Sequence, residues 1–134
     1  MYGPKHDLKL LFTPFVAFLK VAHKTIYFTL TSDKFREIVG AWADSPFNWA
    51  TVKLSPKFLV VKVTDIESKK TFEIHGNRLE EIILSIAVGQ YRVFEPIRRH
   101  YQDLVFSEKP PIHNSPDAVD ELLQVACFGR VLYK

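Results

Sequence analysis

Along the chain, apolar and polar positions alternate with two different periods, and the changes of period mark out the elements. Leu8, Leu11, Phe12, Phe15, Phe18, Leu19 and Ala22 recur at helical spacing, but Pro14 divides the run. Its aromatic and β-branched content suits strands equally, so 8–22 is compatible with either form. Residues 25–30 are rich in strand formers and predict a strand. Ser32 and Asp33 then offer a helix cap ahead of Phe35, Ile38, Val39 and Trp42, a segment that would also serve as a strand. Asp44-Ser45-Pro46 is a turn signal.

The clearest period-two region follows. Residues 49–54, 58–63 and 71–75 predict three short strands, joined by a turn at Ser55-Pro56 and a polar turn over 65–70. Short strands linked by tight turns make an antiparallel meander. The period then switches. Leu79, Ile82, Ile83, Ile86 and Ala87 trace one apolar face of a helix over 77–88, with Asn77 and Glu80 as a variant capping box and Gly89 as its stop. Residues 91–94 look strand-like, Pro96 suits the first turn of a helix running to about Phe106, and Pro110-Pro111 break the chain. Ser115-Pro116-Asp117 opens a last helix that carries Val119, Leu122, Leu123 and Ala126 toward Gly129.

These elements predict an α+β fold: an antiparallel β-sheet (meander) packed by a long amphipathic helix, with additional C-terminal helices. A chain of 134 residues fits one domain, 1–134, with 1–7 as a loose leader. At this size about two-thirds of the unfolded chain's surface is buried on folding. With 47% hydrophobic residues, the chain needs neither disulfides nor a metal to form a core. Cys127 is the one cysteine, which excludes an internal disulfide and points to a reducing, cytoplasmic setting. Within Val125-Ala126-Cys127-Phe128 it reads as a small packed hydrophobe. The apolar stretch 10–22 is interrupted by Pro14 and Lys20, and it is shorter than the ~20 residues of a membrane span.

Net charge is +3, from 18 basic and 15 acidic residues. That balance favours approach to an acidic surface without forming the dense patch of a dedicated nucleic-acid binder. The five histidines are scattered, no carboxylate pair repeats at ligand spacing, and no pattern calls for a cofactor. His75, beside Gly76 at a strand end, would present an imidazole to solvent as a catalytic base must. Glu67-x-Lys69, with Asp44 upstream, matches the residue types of a metal-dependent nuclease, but it falls in a turn and reads as a solvated hairpin. Residues 91–101 interleave Tyr91, Phe94 and Tyr101 with Arg92, Arg98 and Arg99, the mixture that stacks bases and neutralises phosphates. The same stretch on a helix gives an Arg99–Asp103 pair and a buried stripe of Ile97, Tyr101 and Leu104.

Ile38, Trp42-Ala43-Asp44-Ser45-Pro46, the strands through His75 and the following helix stand in an order that resembles the second half of pleckstrin-homology-like domains. The likeness covers residues 35–94 and is nearest to the third lobe of FERM domains and to phosphotyrosine-binding domains. It implies a noncatalytic interaction module in which a partner segment adds a strand near Trp42, Asp44, Ser45 and Pro46, with Trp42 as an apolar anchor. A protein partner is therefore the first expectation, and an acidic membrane surface fits the same charge. A small RNA- or DNA-binding protein using Tyr91, Arg92, Arg98, Arg99 and Tyr101 is the alternative. An enzyme centred on His75 is a further one.

Overall fold

The computed structural model describes residues 26–40, 48–55, 57, 59–108 and 115–133. In chain order the elements are α1 (Ser32–Gly40), β1 (Ala50–Ser55), β2 (Val60–Asp65), β3 (Thr71–His75), α2 (Gly76–Ala87), α3 (Glu95–Phe106) and α4 (Pro116–Phe128). The fold is α+β, as the change of period predicts. The three strands form an antiparallel meander in the order β1-β2-β3.

Register decides what each face of the sheet does. Val52, Val63 and Phe72 stand opposite one another, as do Leu54, Val61 and Ile74, and these rows face the helices. The other face carries the rows Thr51–Thr64–Thr71 and Lys53–Lys62–Glu73, ending with Ser55, Val60 and His75. It is polar and largely exposed, so the sheet has helices on one side and solvent on the other.

Helix α2 is the centre of the core. Leu79, Ile82, Ile83 and Ile86 are fully or almost fully buried, and burying each side chain contributes about 1.5–3 kcal/mol. The helix begins one residue earlier than expected and without the capping box. His75 is the N-cap and makes no side-chain capping bond. Asn77 lies inside the first turn, where its Oδ1 accepts only from the Arg78 N–H. Glu80 turns into the core instead, and its Oε2 accepts the Leu30 N–H at 2.8 Å. Gly76 is needed at the start, because a Cβ there would lie 2.8 Å from the Cβ of Leu59. At the far end Gly89 is left-handed, at φ 84°. Its N–H donates to the carbonyl of Ile86 and that of Gln90 to Ser85, closing the last turn as predicted.

Two predicted strands are not strands. Residues 26–30 keep the alternation of one, with Ile26, Phe28 and Leu30 buried and Tyr27 exposed. Their backbone, however, bonds to helix α3 through Tyr27 N–H and Val105 O, and to Glu80 of α2, so the segment is an arm laid over helices. Residues 91–94 are irregular, with Tyr91 and Val93 turned inward and Arg92 and Phe94 outward. In both places alternation reports a half-buried extended chain, which needs no strand beside it.

The remaining helices follow their sequence signals. Thr31, one residue ahead of the expected cap, accepts the Lys34 N–H on its Oγ1 and starts α1. Pro96 sits in the first turn of α3. Ser115 caps α4 through the Ala118 N–H, and Gly129 ends it in the left-handed conformation. Ile97, Tyr101 and Leu104 form the buried stripe. The expected Arg99–Asp103 pair does not form, and Arg98 pairs with Glu95 instead. Among the described residues no helix is long and apolar enough to cross a membrane.

Candidate binding surfaces

Three surfaces can be built from the described residues, and they differ in how completely their polar groups are matched. Trp42, Asp44, Ser45 and Pro46, the expected strand-docking residues, lie outside the described residues, as does the segment 8–22.

The first surface is the free margin of the sheet. Trp49 and Ile66 are bonded across β1 and β2 through Ile66 N–H and Trp49 O, and Asp65 N–H donates to Lys70 O across β2 and β3. Ladder bonds of an antiparallel pair fall on alternate residues, so the register assigns the rest. On β3, Phe72 and Ile74 point their backbone groups at β2, while Thr71, Glu73 and His75 point theirs away from the sheet. Those three residues are exposed, and among the described residues no backbone group outside helix α2, whose first turn uses the His75 carbonyl, pairs with them. On β1 the outward residues include Ala50 and Val52, which are buried, so the accessible margin is that of β3. His75 stands at its end with Nε2 3.0 Å from Glu73 Oε1, and Glu73 also reaches Lys62 at 3.8 Å.

The second surface is a cleft of about 680 Å³ between the α2–α3 connection and helix α3. Tyr91, Arg92, Arg98 and Gln102 line it together with Gly89 and Gln90, and no carboxylate does. Arg92 is exposed and makes no ion pair or side-chain hydrogen bond among the described residues. Arg98 is tied to Glu95. Arg78 is held by Glu81 at 2.7 Å, and that bond, then the nearby Tyr91 hydroxyl, raises its already high pKa. The predicted basic-aromatic set is thereby divided. Tyr91, Arg92 and Arg98 come together here, Arg99 is exposed but does not line the cleft, and Tyr101 is a correction. Its ring is 1% exposed and its hydroxyl donates to the Ala118 carbonyl, with burial raising its pKa, so it belongs to the core and stacks on nothing outside.

The third surface surrounds the chain's last described residues. Gln124, completely buried, accepts the N–H groups of Leu132 and Tyr133 on its Oε1 and donates to Tyr133 O and Asp120 Oδ1 from its Nε2. Asp120 Oδ1 also accepts the Trp49 indole N–H at 2.8 Å. Trp49 stacks on Tyr133 with ring centroids 5.5 Å apart, and Phe128 meets both rings edge-on or tilted. The Tyr133 hydroxyl donates toward Asp65 at 3.1 Å and Glu67 at 3.4 Å. Asp65 organises its own turn by accepting the Ser68 hydroxyl, and that bond above all lowers its pKa. Sequence reasoning missed this clasp, because by helical spacing Gln124 shares its side of α4 with Asp117 and Asp120 rather than with the apolar stripe of Val119, Leu122, Leu123 and Ala126. Cys127 lies nearby, half-buried, its thiol pushed up to about 12 by burial and then by the charge of Asp65.

Glu67 and Lys69 lie in the β2–β3 turn as expected, and Glu67 serves the clasp. Among the described residues, no three His, Cys, Asp or Glu side chains converge as a metal site would require. Comparison with known proteins finds no family model, no curated protein and no solved structure that matches this chain.

Proposed function

We propose that this chain is a noncatalytic interaction module that takes up an extended segment of a partner protein along β3. The observation that carries the reading is the outward row of backbone groups at Thr71 and Glu73 and the N–H of His75, exposed and without backbone partners among the described residues. The complement of such a row is the backbone of another strand. The resemblance to pleckstrin-homology-like domains implies the same mode of binding, strand addition with a helix as a wall, although it places the added strand near Trp42 to Pro46 rather than along β3. Glu73 also gives β3, a strand of five residues, a charged side chain on its edge, the form that resists indiscriminate pairing and leaves selection to the partner's side chains.

Glu73→Pro is the decisive variant. The Glu73 N–H points away from β2, so proline removes an outward donor while leaving the ladder bonds of Phe72 and Ile74 in place. Proteins retained by the wild type and by Glu73→Gln, but lost with a folded Glu73→Pro, support the module. Identical retention by all three forms overturns it. Should proline unfold the chain, hydrogen exchange replaces it: the Thr71 and Glu73 amides exchange fast in the free protein and slow in the complex, and no slowing overturns the reading. Strand pairing between two copies would appear as a dimer in sedimentation and would also overturn the assignment to a different partner.

A further inference from the structure

The cleft beneath Arg92 has chemistry that strand addition does not use. It is concave, about 680 Å³ in volume, and lined by two arginines and no carboxylate. That volume lies within the roughly 300–1,000 Å³ usual for small-ligand sites. Arg92 has no partner among the described residues, whereas the Arg98 guanidinium is already oriented by Glu95. A guanidinium presents a planar fork of donors that matches phosphate oxygens two at a time, and it stays charged at every physiological pH. Tyr91 forms an aromatic part of the same wall. Gln102 lines the same cleft, its Nε2 fixed on Ala87 O at 3.0 Å, which leaves its carbonyl oxygen as an acceptor. Gln90 adds a second amide. A cationic fork, an aromatic face and side-chain amides in one concavity are what a phosphate joined to a flat, hydrogen-bonding ring requires.

We infer that this cleft is a nucleotide-binding site, with the phosphate held by Arg92 and Arg98 and the base lying along Tyr91 within reach of Gln90 and Gln102. A free nucleotide and one unit of a single-stranded nucleic acid share this chemistry, and the site is independent of the β3 margin on the sheet.

The test is fluorescence anisotropy with a labelled ten-nucleotide oligouridylate, repeated with unlabelled uridine 5′-monophosphate as competitor. The full-length chain is compared with Arg92→Ala, Arg92→Lys and Arg36→Ala. Arg36 is an exposed arginine of α1 outside the cleft, so it controls for diffuse charge. Binding that falls at least about tenfold with Arg92→Ala, partly returns with Arg92→Lys and changes less than about twofold with Arg36→Ala supports the site. Displacement by the mononucleotide at comparable concentration identifies a free nucleotide as the ligand, and displacement only at large excess identifies a strand. Either result sustains the inference. Absence of binding by both probes, or equal weakening by Arg92→Ala and Arg36→Ala, overturns it. A folded Glu73→Pro variant retains nucleotide binding, which keeps failure here separate from failure at β3.

Discussion

Gln124 and Arg92 make opposite uses of a long polar side chain. Gln124 sits on the Asp120 side of α4, buried, and its amide is saturated by Asp120 and the backbone of Leu132 and Tyr133. Arg92 stands on an irregular connection with its guanidinium matched by nothing among the described residues. A buried polar network contributes to stability only when every member is satisfied, and it then fixes one arrangement of the chain. An exposed charged group without partners adds little to the fold, and its chemistry is available to something outside it. The clasp should therefore respond to mutation in stability, and the Arg92 cleft and the β3 margin in binding.

The largest effect that tests this contrast is at Gln124. Gln124→Ala leaves the Leu132 and Tyr133 N–H groups and Tyr133 O without their partner and opens a gap where a fully buried side chain stood. We expect a loss of about 2–4 kcal/mol in chemical denaturation, from unsatisfied groups together with lost packing. A loss below about 1 kcal/mol would show that the tail's groups are solvated as readily as they are clasped, and the contrast with Arg92 would collapse.

Tyr101 is the next. It lies in the same basic-aromatic stretch as Arg92, yet it is buried and donates to the Ala118 carbonyl at 2.9 Å. Tyr101→Phe keeps the ring and removes one bond from a carbonyl that the ladder of α4 still holds, which predicts about 0.5–1.5 kcal/mol of destabilisation and no change in oligonucleotide binding. Weakened binding with unchanged stability would return Tyr101 to the surface set.

The division of residues 91–101 shows what periodicity can and cannot convey. The stripe of Ile97, Tyr101 and Leu104 was legible, because helical spacing dictates which side chains share a face. So were the meander, the turn at 65–70 and the stops at Gly89 and Gly129, each of which depends on local backbone preference. The arm at 26–30 was not, because its alternation is satisfied by helices α2 and α3 distant in sequence, and no local signal separates that from a sheet neighbour. The capping box failed for a related reason. Asn77 and Glu80 have the right types and spacing, but tertiary packing claims Glu80 for the Leu30 N–H. Of the candidate sites, the grouping of Tyr91, Arg92 and Arg98 was visible in the sequence. The clasp was not, since it joins Trp49, Asp65, Asp120, Gln124 and Tyr133 from across the chain.

A smaller effect comes from pH. The Asp65 pKa is lowered in the folded chain, mainly by the Ser68 hydroxyl, so its contribution is present above the unfolded carboxylate pKa and is lost as pH falls through the folded one. The Tyr133 pKa is raised, chiefly by loss of hydration and then by the Asp65 bond, so its contribution is complete below the unfolded phenol pKa and is lost as pH climbs through the folded value. The clasp should loosen at both extremes. In melting curves across pH, Tyr133→Phe should flatten chiefly the alkaline limb and Asp65→Asn chiefly the acid limb. A single variant that abolished both would mean that the two groups act elsewhere as well.

The smallest expected effect is the one that sharpens the comparison most. Arg92→Ala removes an exposed side chain with no bond among the described residues, so stability should change by no more than about 0.5 kcal/mol in either direction. Val93 and Phe94, rather than Arg92, hold the connection. Val93 packs against the core, and the Phe94 N–H donates to Glu121 Oε1 at 2.9 Å. With those anchors intact, the backbone keeps its course whether or not a guanidinium projects from it. Paired with the binding measurements, an unchanged melting temperature would make any loss of ligand attributable to the missing guanidinium. A drop of 1 kcal/mol or more would instead place Arg92 with Gln124, as a structural residue whose partners lie among the chain's own groups.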